Sequence, residues 1–347
     1  MKKLYLRLAA LFLSLLLLLG MMTACGGDIS VTLQDGADRF GQDKETEEYG
    51  VPNSGDLLAH LIDDFSGSME PPFSQRIDDN DYDQAKKKAE DDWASRNPGG
   101  PTGNQEAGGV VLVGSYDELK QAFKDVYVPS AAALQFRLTD GYTVNLTGDL
   151  LNDMYRQLQR EDPIGVAGVA GWSYGSRGDE YVVEINYSFE PAELNRIKSE
   201  TPALVDKAIQ EMNVGSTDPY TVVCAVNEYL CDTVVYPPNE PYPPLTHTPY
   251  GAFHGDAVCE GYATAAKLML NKFNISCDIE VGVCVGGGGH AWNLVLLDGQ
   301  WYQLDVTWND CGGKPTEFFL VTDDFMKQSR TWDESQYPKS ATTAYTP

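Results

Sequence analysis

Three short segments carry the residue types needed to attack a carbonyl carbon: Ala257-Val258-Cys259-Glu260-Gly261-Tyr262-Ala263, His290-Ala291-Trp292-Asn293 and Leu304-Asp305-Val306-Thr307-Trp308. A cysteine sulfur is a strong nucleophile once it has lost its proton. An imidazole moves protons near neutral pH, and a carboxylate orients the ring and stabilises its charged form. In such a set His290 takes the thiol proton of Cys259 and later gives it to a leaving amine, while Asp305 fixes the tautomer. The acyl group left on sulfur is then released by water or by a second amine. For Cys259 taken alone, the competing reading is a buried and inert cysteine.

The elements that must position these side chains can be read by spacing. After Cys259, residues Ala263, Ala266, Met269, Leu270 and Phe273 recur at helical intervals, which puts Cys259 at or near a helix N-terminus. Free N–H groups and the helix dipole at that end favour thiolate, and the backbone N–H of Cys259 is a candidate oxyanion donor. Gly261 and Ala263 are small enough to let this helix lie close to a sheet. Residues 291–297 and 300–308 form two apolar-rich runs separated by Asp298-Gly299, a strong hairpin signal. A two-residue turn pairs Leu297 with Gln300, and hence Trp292 with Asp305 and His290 with Thr307. His290 and Asp305 then share a sheet face as diagonal neighbours, roughly 7–8 Å apart at Cα. A one-residue bulge would put them on opposite faces.

In their order and spacing the three segments resemble the transglutaminase-like superfamily, whose core is similar to that of papain-like cysteine proteases. The resemblance is carried by residues 248–310. It implies a nucleophile at Cys259, a base at His290, an orienting carboxylate at Asp305, no cofactor, and action on amide bonds of proteins or cell-wall peptides. The fold class expected is α+β. Its core, about 213–335, is an antiparallel sheet packed on the helix that carries the cysteine. The competing class is a binding module that keeps this fold without catalysis.

Other residues have two readings each. Trp292 and Trp308 flank the expected strands and either wall a cleft or pack in the core. Tyr250 either donates to an oxyanion or is a packed tyrosine whose hydroxyl finds a local partner. His247 and His254 lie on the approach to Cys259 and are expected to face solvent. The glycines at 286–289 predict a mobile loop just before His290. Six cysteines remain besides Cys25; if Cys259 stays free the other five cannot all pair, so mainly reduced, buried thiols are expected. Neither CxxC nor HxxxH occurs, which argues against a zinc site.

The rest of the chain delivers this unit. Lys2, Lys3 and Arg7 followed by the apolar run 8–19 read as an export leader over 1–24. Met22-Thr23-Ala24-Cys25-Gly26 resembles the lipobox of bacterial lipoproteins, which implies acylation of Cys25 and a membrane anchor outside the cytoplasm. An ordinary signal peptide is the alternative. From 28 to 107 there are 19 acidic against 7 basic residues and no sustained apolar periodicity, so 25–107 reads as a disordered stalk with Lys86-Lys87-Lys88 a solvated patch. An α+β accessory subdomain with no legible chemistry is expected over 108–212, and a tail over 336–347. A net charge of -26 repels phosphate backbones, so nucleic acid is not an expected partner.

Overall fold

The computed structural model describes residues 72–139, 141–285, 288–311 and 316–347. The leader, Cys25 and the first part of the expected stalk lie outside the described residues.

The described chain starts with strand β1 (Phe73–Arg76) and helix α1 (Tyr82–Arg96). Then come β2 (Val110–Val113), α2 (Tyr116–Tyr127), β3 (Ala133–Leu138), α3 (Gly148–Glu161), β4 (Val169–Arg177) and β5 (Glu180–Tyr187). These strands form one sheet in the order β1-β4-β5-β3-β2. Ser115 caps α2 by accepting from the N–H of Glu118, and Thr147 caps α3 through Leu150, so sequence-visible caps set both helix starts. Phe123, Leu151, Met154, Leu158 and Trp172 fill the core between these helices and the sheet.

Ordered structure begins earlier than the charge pattern predicts. β1 and α1 fall inside the stretch read as a stalk. The face that holds α1 down is narrow, consisting of Tyr82, Ala85 and Ala89 against Ala133 and Val182. Two alanines among aspartates and lysines give little hydrophobic signal in sequence. The lysine run is not simply solvated either: Lys86 and Lys88 reach Glu180 and Glu184 of β5 at 2.8 and 2.9 Å.

The second half continues with α4 (Pro191–Met212), α5 (Pro219–Thr233), α6 (Pro249–Phe253), α7 (Cys259–Lys272), β6 (Cys277–Cys284), β7 (Gly289–Leu297) and β8 (Gln300–Leu304). α8 (Val306–Cys311), β9 (Phe319–Val321), α9 (Asp323–Met326) and β10 (Arg330–Thr331) complete it. Its sheet runs β10-β6-β7-β8-β9 with antiparallel neighbours throughout. Tyr262, Ala266, Met269 and Leu270 of α7 share one core with Val295, Leu297 and Leu304 of the sheet and Val222, Val226 and Leu230 of α5. The protein is thus α+β, with an antiparallel sheet on the helix that begins at the cysteine. The last residues lie along this sheet: Ala341 N–H donates to Trp301 O at 2.8 Å, and the Tyr345 hydroxyl donates to Asp298 at 2.7 Å.

Candidate active site

Cys259 is the first residue of α7, with Val258 as the cap residue. The approach to it is tied down by the backbone: Ala257 N–H donates to Val235 O at 3.2 Å, and Val258 N–H to Thr246 O at 3.0 Å. Gly261 allows this closeness, since a Cβ there would stand 2.5 Å from Thr246 O and 2.8 Å from the Ala257 Cβ. Ala263, Ile279 and Ala291 pack around the sulfur.

The hairpin that carries the other two groups turns as its sequence predicts. Asp298 and Gly299 both have positive φ, +51° and +79°, as a two-residue hairpin turn requires. Leu297 pairs with Gln300, and the register continues unshifted to Asn293 with Leu304. There the expected strand 300–308 ends early. Asp305 Oδ1 accepts the N–H of Trp308 at 3.0 Å and starts α8, so Thr307 sits in a helical turn rather than opposite His290. An aspartate able to cap a helix wins over continued strand pairing. Its other oxygen, Oδ2, lies 2.7 Å from His290 Nε2. His290 is itself in a paired strand, opposite Gly282 of β6, and Cys284 N–H donates to Gly288 O at 2.8 Å. The last two glycines of 286–289 therefore belong to a β-hairpin rather than a free loop, while 286 and 287 lie outside the described residues.

The three side chains are closed off from solvent, with Cys259 0%, His290 1% and Asp305 0% exposed. Burial works against a charged imidazole, but the charge and hydrogen bond of Asp305, joined by a hydrogen-bonding interaction with Cys259, push His290 up to about 9. Burial likewise works against the carboxylate, and His290 with Arg330 outweighs it, holding Asp305 down at about 2. An ionised Asp305 accepts, so Nε2 is the donor. Among the described residues the ring's Nδ1 has no partner of normal hydrogen-bond geometry, and it is the nitrogen left for sulfur.

Residues 206–306 match the sequence profile of the transglutaminase-like superfamily. Among solved structures, a TGase aligns over 67% of this chain and 67% of its own, at 14% identity and a TM-score of 0.29. A proposed cysteine protease from Cytophaga hutchinsonii aligns over 47% of this chain and 60% of its own, at 12% identity and a TM-score of 0.29. No curated protein matches the chain.

Around Cys259, His290 and Asp305 several sequence expectations meet a different arrangement. Tyr250 does not offer its hydroxyl to an oxyanion: the group donates to Glu200 at 2.9 Å and accepts from Arg196 at 2.5 Å, both on α4. It is the packed tyrosine of the two readings. Trp292 and Trp308 do not wall an open cleft, being buried with Phe318 and Met326. They enclose the imidazole instead, with ring centroids 5.8 and 5.6 Å from it. His254 is exposed, as expected, but His247 is half-buried, with Nδ1 3.3 Å from Glu260 Oε2. Cys224, Cys231, Cys259, Cys277, Cys284 and Cys311 form no disulfide, and Cys311 is exposed.

Three residues of this neighbourhood had drawn no attention in sequence. Arg330 donates through Nη1 to Asp305 Oδ2. No local pattern marks it, because it comes from a two-residue strand, β10, beside Cys284. Glu280, opposite Trp292 in β6, accepts from its indole N–H at 2.9 Å. Its signal was a carboxylate between Ile279 and Val281 inside a strand. Burial pushes it up to about 8, although bonds from Gln303 and Trp292 act the other way. Glu260, next to the cysteine, points toward the first sheet's subdomain, where Gln159, Arg156 and Tyr155 of α3 reach Oε1 at 2.5, 3.1 and 3.4 Å. A 340 Å³ cavity opens beside it, lined by Tyr242, His247 and Thr264 on one side and by Phe73, Tyr155 and Val169 on the other.

Proposed function

We propose that the chain is a thiol enzyme that forms an acyl intermediate on Cys259 from amide bonds of proteins or peptides, cell-wall peptides included. One observation carries this reading: His290 Nε2 lies 2.7 Å from Asp305 Oδ2 while the same ring interacts with a sulfur at the first position of a helix. In the reaction the sulfur adds to the carbonyl carbon, and the backbone N–H of Cys259 supports the oxyanion. The C–N bond breaks as the imidazolium gives its proton to the departing nitrogen, leaving a thioester. Water then adds to the thioester with His290 taking its proton, and the acid leaves as the thiol reforms. An incoming amine in place of water gives transamidation. Hydrolysis is the reading we favour, because transfer also requires an amine held against the thioester and water kept out.

The leader and the Met22-Thr23-Ala24-Cys25 segment support export and acylation of Cys25, which would hold the enzyme on the outer face of a membrane. Radiolabelled fatty acid incorporated by the wild type and lost in Cys25→Ser is the expected result; equal labelling of both sinks the anchor.

The enzyme reading is tested by intact-mass measurement after incubation with candidate amide peptides. The expected product is an acyl adduct that maps to Cys259 and is absent in Cys259→Ala. The complete burial of all three side chains favours a second reading, a catalytically silent binding module at the cell surface. That reading expects neither an adduct nor alkylation of Cys259 by iodoacetamide in the native protein.

A further inference from the structure

Arg330 is as buried as the carboxylate it meets, with both side chains 0% exposed. Its Nη1 donates to Asp305 Oδ2, the same oxygen that faces His290 Nε2. The guanidinium carbon lies 3.9 Å from the ring centroid of Trp308, 5.0 Å from Trp292 and 5.3 Å from Phe318. Nε donates to Ser329 Oγ at 3.3 Å, and Nη2 has no hydrogen-bond partner among the described residues. Aromatic faces therefore surround a cation whose ion-pair partner is Asp305 alone among the described residues.

Charge balance follows from this arrangement. In a buried site an unmatched charge is expensive, and matched pairs are strongly preferred. Asp305 and Arg330 already cancel each other. A protonated His290 is then unmatched unless the sulfur of Cys259 carries the compensating negative charge. Without the arginine, Asp305 and His290 would balance between themselves, and no compensating charge would be required at the sulfur. The other titratable groups at hand do not change the sum at neutral pH. Cys284 faces both Arg330 and Asp305, and burial pushes its thiol up to about 11. Glu280, across Trp292, is pushed up by burial to about 8.

We propose that Arg330 is a positioning residue that neutralises Asp305, so that the imidazolium of His290 is matched by the thiolate of Cys259. The proposal rests on the acyl-transfer reading of this site.

The test is the rate of Cys259 alkylation by iodoacetamide as a function of pH in the full-length protein. Arg330→Met is expected to lower the rate at neutral pH by at least about tenfold, the equivalent of one pH unit. Arg330→Lys, which keeps the charge, should recover most of it. The pH profile separates a charge effect from a structural one: loss of the charge moves the midpoint of alkylation to higher pH and leaves the high-pH plateau unchanged, whereas a merely structural loss lowers the plateau. Wild-type reactivity in Arg330→Met overturns the proposal, and so does a loss that Arg330→Lys does not repair. Circular dichroism monitors folding; if Arg330→Met does not fold, Arg330→Gln takes its place under the same two criteria. An unreactive Cys259 in the wild type is a different result, since it removes the acyl-transfer reading itself.

Discussion

Asp305 Oδ2 faces His290 Nε2 at 2.7 Å while its Oδ1 accepts the backbone N–H of Trp308 at 3.0 Å. One carboxylate thus ends a strand, begins a helix and orients an imidazole. The backbone bond fixes its rotamer, which fixes the ring that depends on it.

Removing that charge should be costly for the fold. Asp305→Asn keeps the cap and the shape but leaves Arg330 buried without its counter-ion. Uncompensated buried charges of this kind cost about 3–5 kcal/mol. A urea titration of the variant should show a correspondingly lower midpoint; an unchanged midpoint would mean that the pair contributes nothing.

The pH response follows from His290, raised from 6.5 to about 9. A raised histidine contributes stability that is fully present below 6.5 and is lost as pH climbs through about 9. Activity that needs the imidazolium should share that upper limb. A rate profile that begins to fall near 6.5 instead would contradict the shielded Asp305–His290 pair.

Glu260 makes the opposite prediction at the acid end. Burial opposes its charge, but the His247 hydrogen bond, Arg156 and Gln159 outweigh it, taking it from 4.5 to about 2. Its contribution is therefore present above 4.5 and disappears as pH falls toward about 2. Glu260→Gln should lose on the order of 2–3 kcal/mol at neutral pH and flatten the acid limb of the stability curve. Denaturant midpoints measured across that window check both effects.

Glu280 should be a stabilising site for substitution. Its carboxyl is raised from 4.5 to about 8, so stability declines as pH rises between those values and then levels off. The Oε1 atom has no hydrogen-bond partner among the described residues. Glu280→Gln removes the ionisation and retains an acceptor for the Trp292 indole. It should raise the melting temperature at pH near 7.5 while leaving it unchanged near pH 4, as measured by calorimetry.

Much of the second half was legible because its signals are local. The apolar face of α7 and the Asp298-Gly299 turn each depend on neighbours a few residues apart. Strand pairing set by a two-residue turn has one register, so the pairing as far as Asn293 with Leu304 could be counted from the sequence, while Asp305 meets His290 just beyond the end of the strand. The first subdomain was less legible. α1 docks through two alanines and a tyrosine, and its burial is visible only once Ala133 and Val182 are opposite it.

The sequence by itself singled out Cys259, His290 and Asp305, the helix that begins at Cys259, and the hairpin that carries His290 toward Asp305. These are fixed by residue type and by spacing along the chain, where hydrogen bonds connect near neighbours. Only the tertiary structure decided that Arg330 shares the Asp305 oxygen, that Glu260 turns away to α3, and that the two tryptophans enclose the ring rather than a cleft. Those contacts join segments whose distance in sequence sets no distance in space. Their energy comes from pairing buried charge, which exists only after the chain has closed around it.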